Sequence, residues 1–240
     1  MLHDLRILVF KHMSCQNPGI FRDYASQRNI HFEEIDLYHG DLIPNIRNFD
    51  ALWVMGGSMN VWEEQKFPWL TQEKQAIRQA FNRDMPFFGI CLGHQLLADS
   101  LGGQVIPSKH IEIGSFSIQP TSEGIGHKLF EKISHDILWA NVHTAEVLTP
   151  PENALILANS SACSNHAMAV GDRAYSVQFH PEVCQSTMSG WLSIPNIVPT
   201  IINLLGKQGF NEFAESIEVN RANTQRAAAQ LLDNWLSLAI

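Results

Sequence analysis

The sequence predicts an α/β fold built on a mostly parallel sheet with helices on both faces, and three observations carry that prediction. Apolar runs rich in branched side chains, LRILVF (5–10), DALWVM (50–55) and PFFGI (86–90), are too unbroken for strands with one wet face. Segments of helical spacing, above all WLTQEKQAIRQAFNRD (69–84) and HQLLADSLGG (94–103), alternate with them. Such alternation marks a parallel sheet, because parallel neighbours need a long crossover, usually a helix. With 240 residues, 45% of them hydrophobic, the chain has the apolar material for one domain spanning 1–240.

Taken in order, LRILVF is the first strand, followed by Pro18-Gly19 and a helix-like segment through Arg28. IHFEEIDL (30–37) alternates and reads as a second strand. DALWVM is a buried third strand that ends at Gly56-Gly57. The helix over 69–84 has Thr71 placed to cap it and Glu73 and Lys74 in its first turn. PFFGI is the next strand, and two glycines stop the helix of 94–103. From about 104 to 180 the pattern changes to short strands with turns: QVIP, IEIGSFSIQP, ILWA, ALILA, AMAV and AYSVQF. These predict a mixed or antiparallel elaboration of one sheet edge. The stretch 197–240 is helical, with Ala227, Leu231, Trp235 and Leu238 at three- and four-residue intervals. That stripe fits a C-terminal helix packed on its own domain; a helix reserved for a partner is the other reading.

Composition excludes several classes. Sixteen Lys and Arg against 24 Asp and Glu give a net charge of −8, which argues against a nucleic-acid partner. No apolar run approaches the ~20 residues that span a bilayer. MLHDLRILVFKH reads as a first strand rather than a signal peptide, so a cytoplasmic protein without membrane association is expected. The four cysteines, at 15, 91, 163 and 184, form no CxxC pair and are expected as free thiols. His110 and Glu112 make an H-x-E pair with no third ligand at helix or strand spacing, so neither metal nor cofactor is expected.

The chemistry concentrates at Gly89-Ile90-Cys91-Leu92-Gly93, a G-x-nucleophile-x-G elbow with Cys in place of Ser. A side chain held on a tight strand-to-helix turn sits in strained backbone, and glycines two positions either side remove the clashing Cβ atoms. The helix that follows aims free N–H groups and its positive dipole end at the turn, which favours thiolate and oxyanion. A buried cysteine in an ordinary turn fits the pentapeptide alone equally well. His180-Pro181-Glu182, after the run AYSVQF, adds a second piece. Proline forces His180 into extended geometry, so the side chains of 180 and 182 project to the same side, as a base and its orienting carboxylate must. Gly56-Gly57-Ser58-Met59 ends a parallel strand with bare backbone, whose N–H groups would join that of Leu92 around an oxyanion. A plain turn explains that Gly-Gly as often.

GICLGHQLLA, FHPEV and VMGGSMNVWEE together resemble the class I glutamine amidotransferases, and most nearly the stand-alone proteins similar to the glutaminase domain of GMP synthase. The resemblance runs from about residue 5 to 185 and leaves a helical extension over about 197–240. It implies a flavodoxin-like three-layer α/β/α fold, with Cys91 as nucleophile, His180 as base and Glu182 as its partner. It implies oxyanion donors at Gly57 and Leu92, substrate contacts at Gly56 and Gln95, and a structural Glu112 within KHIEIGSFSI (109–118). Where relatives often carry Trp-His-Gly-Asp, ANVHTAEV (140–147) keeps His143 but has Thr144 and Ala145. Where they often carry Pro-Asn-Gln, this chain has Ser164-Asn165-His166. Both segments are expected near the substrate's amino-acid end, which names His143 and His166 as contacts and loosens strict glutamine specificity.

The implied reaction is release of ammonia from glutamine or a γ-glutamyl compound through a cysteinyl thioester. No GxxxxGK[ST] is present, so a separate synthetase subunit would have to receive the ammonia. A γ-glutamyl hydrolase or peptidase working alone is the competing enzyme. A non-catalytic relative with Cys91 as a redox-sensing thiol is the third reading, and the presence of both His180 and Glu182 argues against it.

Overall fold

The computed structural model describes residues 4–193 and 197–240. Its strands are β1 (Leu5–Lys11), β2 (Ile30–Asp36), β3 (Ala51–Val54), β4 (Phe87–Ile90), β5 (Gln104–Ser117), β6 (Gln119–Pro120), β7 (Leu138–Thr149), β8 (Leu155–Asn159), β9 (Ala167–Val170) and β10 (Ala174–Val177). Its helices are α1 (Phe21–Ser26), α2 (Trp69–Asn82), α3 (Leu92–Ser100), α4 (Gln185–Ser193) and α5 (Ile197–Ala239). The main sheet runs β2-β1-β3-β4-β10-β9-β8-β6. Its first five strands are parallel, in the 2-1-3-4-last order of a flavodoxin-like doubly wound sheet. β9, β8 and β6 extend it antiparallel beyond β10.

Strand alternation divides the core. Ile7, Val9 and Trp53 face one layer, where α1 and the end of α5 pack; Leu8, Phe10 and Leu52 face the other, under α2 and α3. Register then sets the site. Phe10 stands opposite Val54, Val54 opposite Gly89, and Ile90 opposite Val177. The carboxyl ends of β1, β3, β4 and β10 therefore emerge together, which brings Gly56-Gly57, Cys91 and His180 to one edge.

Three expectations need correction. The short strands expected at 104–149 do not all join the edge of the main sheet. β5 and β7 are 14 and 12 residues long and pair with each other as a separate antiparallel ribbon, with a register shift between Pro107 and Glu112. Proline has no N–H to give a ladder, and the irregularity begins there. Thr71 does not cap α2. The helix starts at Trp69 behind Pro68, whose fixed φ suits a helix start, and Thr71 lies in its first turn. Glu73 and Lys74 therefore fall beyond the first turn, and both are buried: Glu73 pairs with His12, and Lys74 Nζ reaches the Val61 carbonyl, Glu64 and Asp99.

The C-terminal stripe packs on its own sheet. α5 breaks at Gly206 (φ 74°), and its last turns carry Ala227, Leu231 and Trp235 into the core. The Trp235 indole meets Trp53 edge-on at 5.3 Å and donates to the Phe87 carbonyl at 3.2 Å. Trp235→Ala is expected to cost roughly 3–5 kcal/mol, read as a lowered midpoint in urea unfolding. A loss below about 1 kcal/mol would mean that this helix adds little to the core. No helix among the described residues is long and apolar enough to cross a membrane.

Candidate active site

Cys91 stands between β4 and α3 at φ 52°, ψ −102°, a conformation that costs a non-glycine residue about 1–3 kcal/mol. Neighbouring contacts impose it. The Cys91 N–H donates to the Val177 carbonyl at 2.8 Å, and the Cys91 carbonyl accepts from the N–H groups of His94 and Gln95 at 3.1 and 3.2 Å. A Cβ on Gly93 would lie 2.0 Å from the Val54 carbonyl oxygen, and one on Gly89 2.6 Å from that of Gly93. Only glycine allows this approach. Leu92 opens α3, so its N–H is one of the first-turn donors that the helix itself cannot satisfy.

Beyond β10 the chain continues to His180, whose N–H donates to the Ala140 carbonyl of β7 at 2.8 Å. His180 Nδ1–H donates to Glu182 Oε1 at 2.7 Å, with both side chains buried; the Cys91 sulfur lies near enough to that ring to act on its charge, and its thiol donates to the Val142 carbonyl at 3.9 Å. Burial opposes charge on the ring, but Glu182 and then the Cys91 sulfur outweigh it and hold its pKa up at about 10. Glu182 is fixed in turn, because its carbonyl accepts from the Ile20 N–H at 3.0 Å. Trp191 of α4 closes over the His180 ring edge-on at 5.2 Å.

A cavity of about 340 Å³ opens at the sulfur, lined by Cys91, Gly57, Gln95, His143, Thr144 and Ala145, with Trp191, Thr200, Ile201 and Leu204 above. Among the described residues, no Asp, Glu, Lys or Arg lines it. Gln95 spends both amide hydrogens on the Ala145 carbonyl and Gln178 Oε1, at 3.0 and 3.1 Å, so its Oε1 is what it offers a ligand. Gly56 is not a lining residue; its carbonyl is held by His12 at 2.9 Å, and a Cβ added to it would lie 3.0 Å from His180 Cε1. Gln16 lines the cavity with an unpartnered, buried Oε1. Neither Gln16 nor Trp191 is marked by any sequence motif.

His143 and His166 differ in position. β5 and β7 set Glu112 opposite His143, and Glu112 Oε2 accepts from the Nε2 atoms of His143 and His166 at 3.0 and 2.8 Å, while Oε1 accepts from Ser160 at 2.8 Å. His143 reaches the cavity; His166 is wholly buried behind it. Burial alone would raise the Glu112 pKa, but the bonds from His143 and His166 hold it far below the usual carboxylate range. Burial keeps His166 toward its neutral form. The pairing of Glu112 with His110 is replaced by this three-membered cluster, whose ligand atoms lie within 4.8 Å of one another and hydrogen-bond among themselves. It would take an ion only by giving up those bonds.

Burial pulls the His94 pKa down to about 3; its Nε2–H donates to the Asn165 carbonyl and its Nδ1 accepts from Ser176, both at 2.9 Å. Cys15, Cys91 and Cys163 are free thiols, and burial, then Glu112 and Glu146, push the Cys163 thiol up to about 12.

Residues 24–192 match the family model Glutamine amidotransferase class-I. A glutamine-hydrolyzing GMP synthase subunit from Methanosphaera stadtmanae is 42% identical over 158 residues, covering 62% of this chain and 78% of that relative. The glutamine-hydrolyzing GMP synthase of Aliivibrio fischeri is 33% identical over 221 residues, which is 90% of this chain but only 39% of that relative. A crystal structure of a glutamine amidotransferase from Thermotoga maritima superposes with a TM-score of 0.84 at 26% identity, covering 98% of this chain and 99% of that one. Sheet order, elbow and sequence agree, and the chain belongs to the glutamine amidotransferase class-I family.

Proposed function

We propose that this chain hydrolyses the side-chain amide of glutamine through a thioester on Cys91 and delivers the ammonia to a separate synthetase. One observation carries the reading: a buried imidazole whose Nδ1 bonds Glu182 at 2.7 Å, close enough to the sulfur of Cys91 for that sulfur to raise its pKa. Cys91 gives its proton to His180 and attacks the amide carbon. The oxygen becomes an oxyanion, held by the N–H groups of Gly57 and Leu92. His180 returns the proton to the nitrogen, the C–N bond breaks and ammonia leaves. Water, deprotonated by His180, then attacks the thioester carbon, and glutamate departs as the sulfur is released. Support for a receiving partner comes from the relatives: one is a subunit of GMP synthase, and in the other the matched region is 39% of a longer synthase.

The test is covalent. A chloroketone analogue of glutamine should label the chain once, on the Cys91 peptide by mass spectrometry, and millimolar glutamine should slow that labelling at least ~10-fold if the cavity is the glutamine site. Labelling spread over several cysteines, or indifferent to glutamine, would overturn the assignment.

A second reading has its own observation. With Ala145 where relatives often carry Asp, and with no Asp, Glu, Lys or Arg on the described walls, an amino acid's charged end would meet polar groups such as Thr144, Thr200 and His143. The amino-acid end is the same in glutamine and in a γ-glutamyl peptide or amide, so this wall admits both, and the latter would be hydrolysed without a partner by the same three residues. Assaying the chain alone separates the two, since faster turnover of γ-glutamyl peptides than of glutamine selects the hydrolase.

A further inference from the structure

His12, just beyond β1, is buried and has no part in the chemistry described so far. Its ring lies between two acceptors: Nδ1 is 2.9 Å from the Gly56 carbonyl oxygen and Nε2 is 2.8 Å from Glu73 Oε1. A neutral imidazole carries one N–H, so with Glu73 ionised both contacts are satisfied by the doubly protonated ring. Burial disfavours that charge, but Glu73 and then the Gly56 and Met55 carbonyls outweigh it and raise the His12 pKa. Trp69 stacks on the ring at 5.4 Å and 19°. The pair is walled off from water, with both side chains wholly buried.

What His12 holds is the peptide between Gly56 and Gly57. No described peptide bond is cis, and in a trans peptide the C=O and N–H point in opposite directions. Drawing the Gly56 carbonyl into the interior turns the Gly57 N–H the other way, toward the cavity that Gly57 shares with Cys91. The packing is close, since a Cβ on Gly57 would lie 2.8 Å from His12 Cβ and 2.7 Å from Leu92 Cδ2. Two successive glycines leave a peptide otherwise free to rotate. A rotated peptide would present an acceptor where the oxyanion needs a donor.

We propose that His12, paired with Glu73, is a positioning residue that locks the Gly56–Gly57 peptide with its N–H toward the oxyanion. The inference rests on reading Gly57 as an oxyanion donor. Two substitutions separate it from simple core filling. Asn places its amide nitrogen near the position of Nδ1 and keeps a donor for Gly56; Gln reaches instead toward Glu73. His12→Gln is expected to lower kcat for glutamine ~100-fold or more with KM within about threefold, as when one oxyanion donor is lost, while His12→Asn stays within about tenfold of wild type. Iodoacetamide alkylation of Cys91 creates no oxyanion, so its rate should stay within about twofold in both variants.

A core-filling role predicts the reverse order of activity, with Gln the better replacement. That order, a His12→Gln kcat within about threefold of wild type, or alkylation falling in step with kcat would each overturn the proposal. A wild-type chain that releases no ammonia from glutamine sinks the functional reading but still leaves this one decidable. Crystal structures of wild type and His12→Gln should show the Gly56–Gly57 peptide reoriented in the variant, and the same orientation in both would overturn the inference.

Discussion

Cys91→Ser is expected to lower glutamine turnover by on the order of 10⁴-fold or more, since losing a nucleophile collapses a unit whose members act together. The fold should survive, because oxygen is smaller than sulfur and the strained turn is imposed by the Val177 and helix α3 contacts rather than by the side chain. Ammonia release reads the first effect and a thermal melt the second. A variant within about tenfold of wild-type turnover would remove Cys91 from the reaction, whatever its position.

Glu182→Gln is the second large effect. In the proposed triad the carboxylate holds the Nδ1–H and so leaves Nε2 for the sulfur, whereas an amide can present N–H₂ there instead, which turns the ring's lone pair the wrong way. A drop of about 10²–10⁴-fold in kcat is expected. The pH profile should move with it. The folded-state pKa of His180 is raised to about 10, above the ~6.5 of an unfolded histidine, so the stabilisation from its pairing is complete below pH ~6.5 and is lost as pH rises through about 10. The same imidazolium protonates the leaving nitrogen, so kcat should fall on that alkaline side. Without the carboxylate, the fall should begin at least about one pH unit lower. An alkaline limb at the same pH in both proteins would show that Glu182 does not govern the ring.

The parallel strands are legible in the sequence because burial on both faces leaves no polar alternation in 5–10, 50–55 and 86–90. The elbow and His180-Pro181-Glu182 are legible because each is local, so glycine or proline next to the reactive side chain states its own backbone geometry. What stays hidden is long range. Glu112 meets His143 and His166 across separations of 31 and 54 residues, through a ribbon that short apolar runs do not announce. The sequence neighbours of His166 mark it as a substrate contact, but its burial puts it one layer back. His12 and Glu73 stand 61 residues apart. A trace of them is present, since Glu73 falls between Leu70, Ile77 and Ala80 on the apolar face of α2, where a charge needs a buried partner. Naming that partner requires the fold.

In the proposed reaction the sulfur of Cys91, the ring of His180 and the N–H groups of Gly57 and Leu92 act on one carbonyl. A crystal structure of the chain after reaction with the chloroketone glutamine analogue tests it most directly. A carbon–sulfur bond to Cys91 is expected, with the analogue's oxygen ~3 Å from both N–H groups. A Cys91 adduct whose oxygen points away from Gly57 and Leu92, or an adduct on another cysteine, would contradict it.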